Sequence, residues 1–363
     1  MIRMVNRGHC SKRKAVSIRI IAVILALLTS ALFILLMEHN PIDVYISIVK
    51  GAFGTKYRMI ETITKSIPLI ITSLGIAVAF KMKFWNIGAE GQIIMGAFMA
   101  SWVALTFPNL NRGLLLPMMF VAGFIGGGFW ALIPAFFRAR FNTNETIFTL
   151  MMNYIALKWI TYLQYGPWKD PNAMGFPKIA NFSEAAVLPK LWGVHTGWVI
   201  ALIMAALVWY FINHTKQGYE ISVIGESENT ARYAGMNVGK IILVTMIISG
   251  GICGMAGMIE ASAVSRTLSV EISGGVGYTA IITAWLAGLS APIIIGVSFL
   301  FAAMVQGGSF IQLAYQIPNS AAEILQGMIL FFVLGSEFFI RYRLIVNKKR
   351  NTHTDRQNGK DLC

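Results

Sequence analysis

Long apolar runs separated by short polar segments make up most of this chain. A helix needs about 20 apolar residues to cross a bilayer, so these runs predict about ten membrane crossings. The predicted spans are 16–37, 65–80, 86–107, 114–137, 145–165, 196–213, 240–262, 277–289, 291–307 and 320–340. The segment 277–289 is short for a full crossing, and the pattern alone leaves open whether it spans the membrane or is half-buried or re-entrant.

Composition strengthens this interpretation. Of the 363 residues, 56% are hydrophobic and 13% are charged, and the mean hydropathy is +0.64. Soluble domains carry about 25% charged residues, so these values are typical of an integral membrane protein. The predicted fold class is therefore an all-α membrane protein, with no room for a sizeable soluble domain.

The positive charge follows the predicted topology. The chain has a formal net charge of +14, and its basic residues cluster at the chain ends and between the apolar runs. Basic residues favour the cytoplasmic side of a membrane, so we expect both termini in the cytoplasm. This predicts a basic N-terminal segment 1–15, a transmembrane domain 16–340 and a basic tail 341–363 at the anionic lipid surface. Because topology explains the charge, nucleic acid is not expected as a partner.

Two connections are long enough to hold structure of their own. The outer loop 166–195 contains prolines and glycines that prevent a long helix, so we expect a compact irregular cap. This loop serves either as a plain connector or as a binding surface for an external partner. The inner loop 214–239 contains a short predicted helix, Gly225 to Met236, with acidic residues in its first turn and Gly235 at its end. Its sequence fits packing within the loop and docking to another protein equally well.

Polar residues inside the predicted spans are the main functional candidates. A charged side chain at the centre of a bilayer costs about 2.5–3.5 kcal/mol, so each such group needs a protein partner or a water-filled path. These candidates are Asn86, Glu90, Gln92, Asn153 and Glu260. Hydrogen bonds between helices explain them as well as contacts with a substrate do, and Glu260 is close enough to a span end to reach the membrane interface.

Patterns that signal catalysis are missing from the sequence. There is no phosphate-binding loop, and the segment 235–241 has the wrong spacing for one. The five histidines lie at span ends or in loops, without the helical spacing of a metal site. No cofactor, metal or enzymatic activity is therefore expected. The pairs Gly123/Gly127 and Gly250/Gly254 fall four residues apart and favour close helix packing within the chain.

Three segments together carry a resemblance to a known family. They are Asn86-Ile87-Gly88-Ala89-Glu90-Gly91-Gln92, then Asn144-Glu145-Thr146 with Leu150-Met151-Met152-Asn153-Tyr154, and Gly225-Glu226 through Ala231-Arg232-Tyr233-Ala234-Gly235. The chain resembles the permease family of ABC importers for branched-chain amino acids, simple sugars and nucleosides. Gln92 and the segment 166–172 are most similar to one of the two permeases of bacterial nucleoside importers. Ser290 and Ala291 depart from the pattern, since polar or basic residues are common there.

The resemblance implies a multi-pass subunit of the bacterial cell membrane without an ATPase site of its own. Its implied partners are a separate ABC ATPase subunit, a second permease that is expected to be a different chain, and an extracytoplasmic binding protein that delivers a small-molecule substrate. It implies that Asn86, Glu90, Gln92 and Asn153 line or support the translocation path. It also implies a coupling helix that meets the ATPase through Gly225, Glu226, Asn229, Ala231, Arg232, Tyr233 and Gly235. The alternatives are a simple sugar importer permease and an ion-coupled secondary transporter.

Overall fold

The computed structural model describes residues 2–6 and 12–346, and the remainder of the predicted tail lies outside the described residues. The described residues divide into two compact units, one formed by those before 42 and after 322 and the other by 42–322. In the first unit, β1 (Ile2–Asn6) pairs antiparallel with β4 (Tyr342–Val346). The sequence pattern did not predict these strands.

Helices make up most of the described chain. They are α1 Lys12–Leu36, α2 Pro41–Phe53, α3 Lys56–Lys81, α4 Ala89–Thr106, α5 Arg112–Phe141, α6 Glu145–Tyr165, α7 Gly197–His214, α8 Lys216–Glu226, α9 Glu228–Tyr233, α10 Val238–Ile259, α11 Val276–Leu286, α12 Ala291–Tyr315 and α13 Asn319–Arg341. A 3-10 turn at Glu184–Ala186, the strands β2 (Lys190–Leu191) and β3 (Val194–His195), and a π-helical segment at Glu260–Ser265 complete the elements. The sequence pattern missed α2 and placed the start of α3 too late.

The apolar helices confirm a membrane protein. Within the described residues, six helices are long and apolar enough to cross a bilayer, or seven if Ile20–Leu36 and Pro41–Phe53 form one broken span. The predicted spans 86–107 and 145–165 appear as α4 and α6, which carry most of the polar candidates. The predicted span 277–289 appears as α11, an 11-residue helix that is too short to cross a bilayer alone.

Glycines let three helices pack closely in the core of the larger unit. A Cβ atom at Gly254 of α10 would collide with the carbonyl oxygen of Gly123 on α5, and one at Gly96 of α4 would collide with Gly254 itself. A Cβ atom at Gly127 would meet the carbonyl oxygen of Gly250. The small-residue pairs therefore serve packing inside the chain, as their spacing predicted.

The helix α3 is enclosed by its neighbours. Every residue from Ser66 to Phe80 is buried, which is typical of a helix that is hydrophobic on all sides. It packs against α10, α11 and α12. Since α3 ends at Lys81 beside the inner loop, it connects the two ends of the larger unit.

The outer loop is irregular, as expected, and rests on the segment that follows α10. The Ser262 hydroxyl donates to the carbonyl oxygen of Ala186 at 2.6 Å and accepts the backbone N–H of Leu188 at 3.2 Å. The Thr267 hydroxyl donates to the carbonyl oxygen of Ile179 at 2.9 Å. These bonds fix the cap to the far end of α10.

Candidate functional site

The polar segment 86–92 lies at the start of α4, where two amide side chains pair. Asn86 Nδ2 donates to Gln92 Oε1 at 3.1 Å, and Gln92 Nε2 donates to Asn86 Oδ1 at 3.0 Å. Asn86 Oδ1 also accepts the backbone N–H of Gly88 at 3.1 Å. Ser249 of α10 lies 3.4 Å from Asn86 Nδ2 and donates to the carbonyl oxygen of Gly75 on α3 at 2.7 Å. The pair therefore joins α4 to α10 and α3.

Asn153 of α6 holds the same segment from another side. Its Oδ1 accepts the backbone N–H of Gly91 at 2.9 Å, and its Nδ2 donates to the carbonyl oxygen of Ile87 at 3.0 Å. The same Nδ2 lies 3.3 Å from the Tyr278 hydroxyl of α11. A Cβ atom at Gly91 would lie only 2.9 Å from Asn153 Oδ1, so only glycine allows this approach.

Glu90 connects α4 to the beginning of α11. Its Oε1 accepts the backbone N–H of Gly275 at 3.0 Å, and its Oε2 accepts that of Gly277 at 2.7 Å. These amides belong to the first turn of α11, whose N-terminal N–H groups have no partner within the helix. A carboxylate here satisfies them and interacts favourably with the helix dipole.

The four predicted path residues therefore lie together. Asn86, Glu90, Gln92 and Asn153 are all buried, and each makes hydrogen bonds to neighbouring helices or loops. In this conformation they tie α3, α4, α6, α10 and α11 together. Their contribution to a translocation path remains a prediction.

The fifth candidate, Glu260, lines a cavity at the end of α10. This cavity of about 270 Å³ is called the distal pocket, and its charged lining residues are Glu61, Lys65, Glu260 and Glu271. The sequence pattern missed Glu61, Lys65 and Glu271. The sequence does contain one feature that marks two of them: Glu61 and Lys65 form an oppositely charged pair at i, i+4 spacing, at the edge of an apolar run.

The predicted coupling helix needs a correction at its start. Gly225 and Glu226 belong to the end of α8, and Ser227 caps a separate helix, α9, by accepting the backbone N–H of Thr230 at 3.2 Å. A Cβ atom at Gly225 would collide with the carbonyl oxygen of Lys81. The break arises because α8 must pack against the end of α3 before the chain turns into α9.

The predicted end of this helix is confirmed. Gly235 has a φ of +76°, and its backbone N–H donates to the carbonyl oxygen of Arg232 at 3.0 Å. The N–H of Met236 donates to the carbonyl oxygen of Ala231 at 3.0 Å. These two bonds form a Schellman motif, which favours glycine at the left-handed position.

The helix α9 has one buried side and one exposed side. Ala231 is fully buried, whereas the Tyr233 side chain is 94% exposed. Asn229 is exposed, and Arg232 forms an exposed ion pair with Glu228 at 2.7 Å. A cleft of about 560 Å³ separates α9 from the end of α5, where Arg138 and Arg140 face it. An aromatic side chain and a basic cleft thus lie open at this end of the molecule.

Residues that could hold a metal do not come together in the described part of the chain, where no group of three His, Cys, Asp or Glu residues is found. His195 is buried in the outer loop, and neither ring nitrogen has a hydrogen-bond partner there. Burial and the nearby charge of Lys190 lower the pKa of His195 to about 4. This imidazole is therefore neutral at pH 7.

Known proteins resemble this chain over most of its length. The family described as "Branched-chain amino acid transport system / permease component" matches residues 58–334. A glucose ABC transporter permease of Haloferax volcanii is 31% identical over 90% of this chain and 88% of its own length. A guanosine ABC transporter permease of Bacillus subtilis is 32% identical over 92% of this chain and 97% of its own length.

A second guanosine permease of Bacillus subtilis is 29% identical over 71% of this chain and 84% of its own length. These relatives are all permease proteins of ABC transporters, as the three sequence segments indicated. The chain therefore belongs to the permease family of branched-chain amino acid transport systems and their relatives among ABC transporters.

Proposed function

We propose that this chain is the membrane-spanning permease subunit of an ATP-driven importer for nucleosides or related small polar solutes. A separate ATPase subunit provides the energy, and an extracytoplasmic binding protein delivers the solute. Both termini lie in the cytoplasm in this proposal, which requires an even number of membrane crossings. The pairing of Ile2–Asn6 with Tyr342–Val346 supports termini on one side.

The observation that carries this proposal is the exposure of Tyr233 on α9. A six-residue helix is too short to be stable alone in water, yet α9 is capped at both ends and presents a 94% exposed aromatic ring. Exposed aromatic residues beside arginines are typical of the central contacts of protein interfaces. We assign this surface to the ATPase subunit.

The position of α9 suggests how movement is transmitted. The preceding helix α8 packs against the end of α3 through Gly225, and α10 begins at Val238, five residues after α9 ends. Both α3 and α10 are largely buried and packed against each other. A displacement of α9 by the ATPase would therefore shift α3 and α10 as rigid bodies, which is how packed helices change access to a site.

The partner permease is proposed to be a different chain. The two guanosine permeases of Bacillus subtilis both resemble this chain, which supports an importer built from two related permeases. The more similar of them supports a nucleoside as the solute. A second candidate is a simple sugar, because the glucose permease of Haloferax volcanii is similar to nearly the same extent.

Co-purification tests this proposal. The full chain is tagged, extracted in mild detergent and assayed for an accompanying ATPase subunit, together with Tyr233→Ala and a matched control, Tyr57→Ala. Tyr57 is 71% exposed in the first turn of α3, at the opposite end of that helix from Lys81. We expect the ATPase with the unaltered chain and with Tyr57→Ala, and at least tenfold less with Tyr233→Ala at equal thermal stability.

Two results would contradict parts of the proposal. If folded, unaltered chain brings no ATPase, the importer function is wrong. If Tyr233→Ala retains the ATPase fully, the importer function is not contradicted, but α9 is not the surface that binds the ATPase. Uptake of guanosine and of glucose by the assembled importer then separates the two candidate solutes.

A further inference from the structure

The distal pocket lies at the opposite end of the larger unit from α9. Along α3, Lys65 precedes Lys81 by 16 positions, which corresponds to roughly 24 Å of helix. Along α10, Glu260 follows the whole helix that begins at Val238, close to α9. The pocket is therefore on the side from which an imported solute enters, given a cytoplasmic α9.

The pocket contains carboxylates that no protein group satisfies. In the described part of the chain, the side chains of Glu260 and Glu271 make no hydrogen bond and no ion pair within 4 Å. Lys65, by contrast, donates to the Ser309 hydroxyl at 3.1 Å. Glu260 is half-buried, and a carboxylate that is partly removed from water is costly without hydrogen-bond donors, so donors from a ligand would stabilise it. Glu271 is exposed and adds a second free acceptor at the same pocket.

The remaining lining suits a solute with both apolar and polar surface. Apolar walls come from Pro68, Leu69 and Val305, while Thr64 and Thr279 contribute hydroxyl groups. A volume of about 270 Å³ is close to the roughly 300 Å³ at which small-molecule sites begin. Mainly apolar walls with a few convergent polar groups are the usual composition of such sites.

One wall of the pocket is held in place by Glu90. Ser273, Gly274 and Val276 line the pocket, and Glu90 binds the backbone N–H groups of Gly275 and Gly277 in the same turn. On another side, Glu260 begins the π-helical segment, an irregularity that is frequent at functional sites. The buried polar cluster thus supports the pocket.

We propose that the distal pocket binds a neutral, polyhydroxylated solute during import, with solute hydroxyl groups donating to the carboxylates of Glu260 and Glu271. This inference rests on the proposed importer function and adds the solute contacts within the membrane subunit. Three carboxylates face one ammonium group, so the pocket also disfavours anionic solutes such as nucleotides.

The test measures how strongly uptake depends on hydroxyl groups. The complete importer, with its ATPase, partner permease and binding protein, is placed in proteoliposomes. Two probe pairs are compared: guanosine with 2′,3′-dideoxyguanosine, and glucose with 2-deoxyglucose. For each variant the uptake ratio within a pair is taken, since the binding protein's own preference then cancels between variants.

We expect the unaltered importer to prefer the hydroxylated member of one pair. Glu260→Gln and Glu271→Gln should each lower that ratio about tenfold, because each removes the charged acceptor of a hydrogen bond. Glu271 is exposed, so its replacement leaves the core intact. Glu260→Asp should restore part of the ratio, and the control Asp43→Asn, at an exposed position on α2, should leave it unchanged.

Ratios that stay equal in all variants would overturn the assignment of Glu260 and Glu271. An importer that carries neither probe pair would overturn the solute class. Equal ratios would leave the proposed importer function intact, because the co-purified ATPase tests that function independently.

Discussion

Glu90 and Gly277 are 187 positions apart in the chain, yet Glu90 Oε2 accepts the backbone N–H of Gly277 at 2.7 Å. A Cβ atom at Gly277 would lie 2.6 Å from that oxygen, so glycine is required for the contact. Through this bond the first turn of α4 caps the N-terminus of α11. The short helix α11 therefore depends on a residue far away in sequence for its position.

Replacing Glu90 by Gln tests this cap. The amide keeps one acceptor oxygen but turns an NH₂ group toward a backbone N–H, so one buried donor loses its partner. We expect the free energy of unfolding to fall by about 1–3 kcal/mol. Thermal unfolding in detergent measures it, and Asp43→Asn is the control with an exposed carboxylate. An unchanged melting temperature would show that the cap contributes nothing to stability.

The pair Asn86 and Gln92 should be energetically coupled. Either single substitution by Ala leaves the partner amide buried without the two hydrogen bonds that join the pair, at a cost of about 1–3 kcal/mol. The double substitution removes both amides, so we expect its effect to be smaller than the sum by about 1 kcal/mol. A double-mutant cycle of thermal unfolding measures the difference. Additive effects would indicate that the two amides do not interact.

The close crossing of α5 and α10 predicts that alanine substitutions at two glycines differ strongly in their effect on stability. Gly254→Ala should lower the free energy of unfolding by about 1–3 kcal/mol, because its Cβ would collide with the backbone of Gly123. The matched control is Gly296→Ala on α12, where no atom lies within 4 Å of an added Cβ. There we expect no loss, or a gain of about 0.5–1 kcal/mol from the better helix former. Equal effects at both positions would contradict the packing.

Acid should destabilise the outer loop through His195. Its pKa is about 4 in the folded chain against 6.5 as the ordinary value, because of burial first and Lys190 second. The unfolded chain therefore binds the proton first, so the contribution of His195 to stability is constant above pH 6.5 and falls between pH 6.5 and pH 4 by at most about 3 kcal/mol.

His195→Leu should remove most of this loss, whereas His214→Leu, at an exposed position at the end of α7, should retain it. Thermal unfolding between pH 4 and pH 8 provides the comparison. An equally steep loss in His195→Leu would assign the acid sensitivity to other groups.

Local sequence features predicted many elements because their causes are local. Gly235 ends α9 in the left-handed conformation that glycine favours, and the apolar runs mark nearly all of the long helices. The helix α2 was missed because its 13 residues are fewer than the apolar run of a membrane span. The division between α8 and α9 was missed because the contact of Gly225 with Lys81 depends on a distant helix.

The sequence by itself determined that this chain is a largely helical membrane protein of a permease family. It also marked Asn86, Glu90, Gln92 and Asn153 as polar groups that need partners. Hydropathy and cost of burial are properties of each residue and its neighbours, so they can be read along the chain. Only the tertiary structure decided which partners these groups have. It also brought Glu61, Lys65, Glu260 and Glu271 into one pocket, because contacts between distant segments depend on how the helices pack.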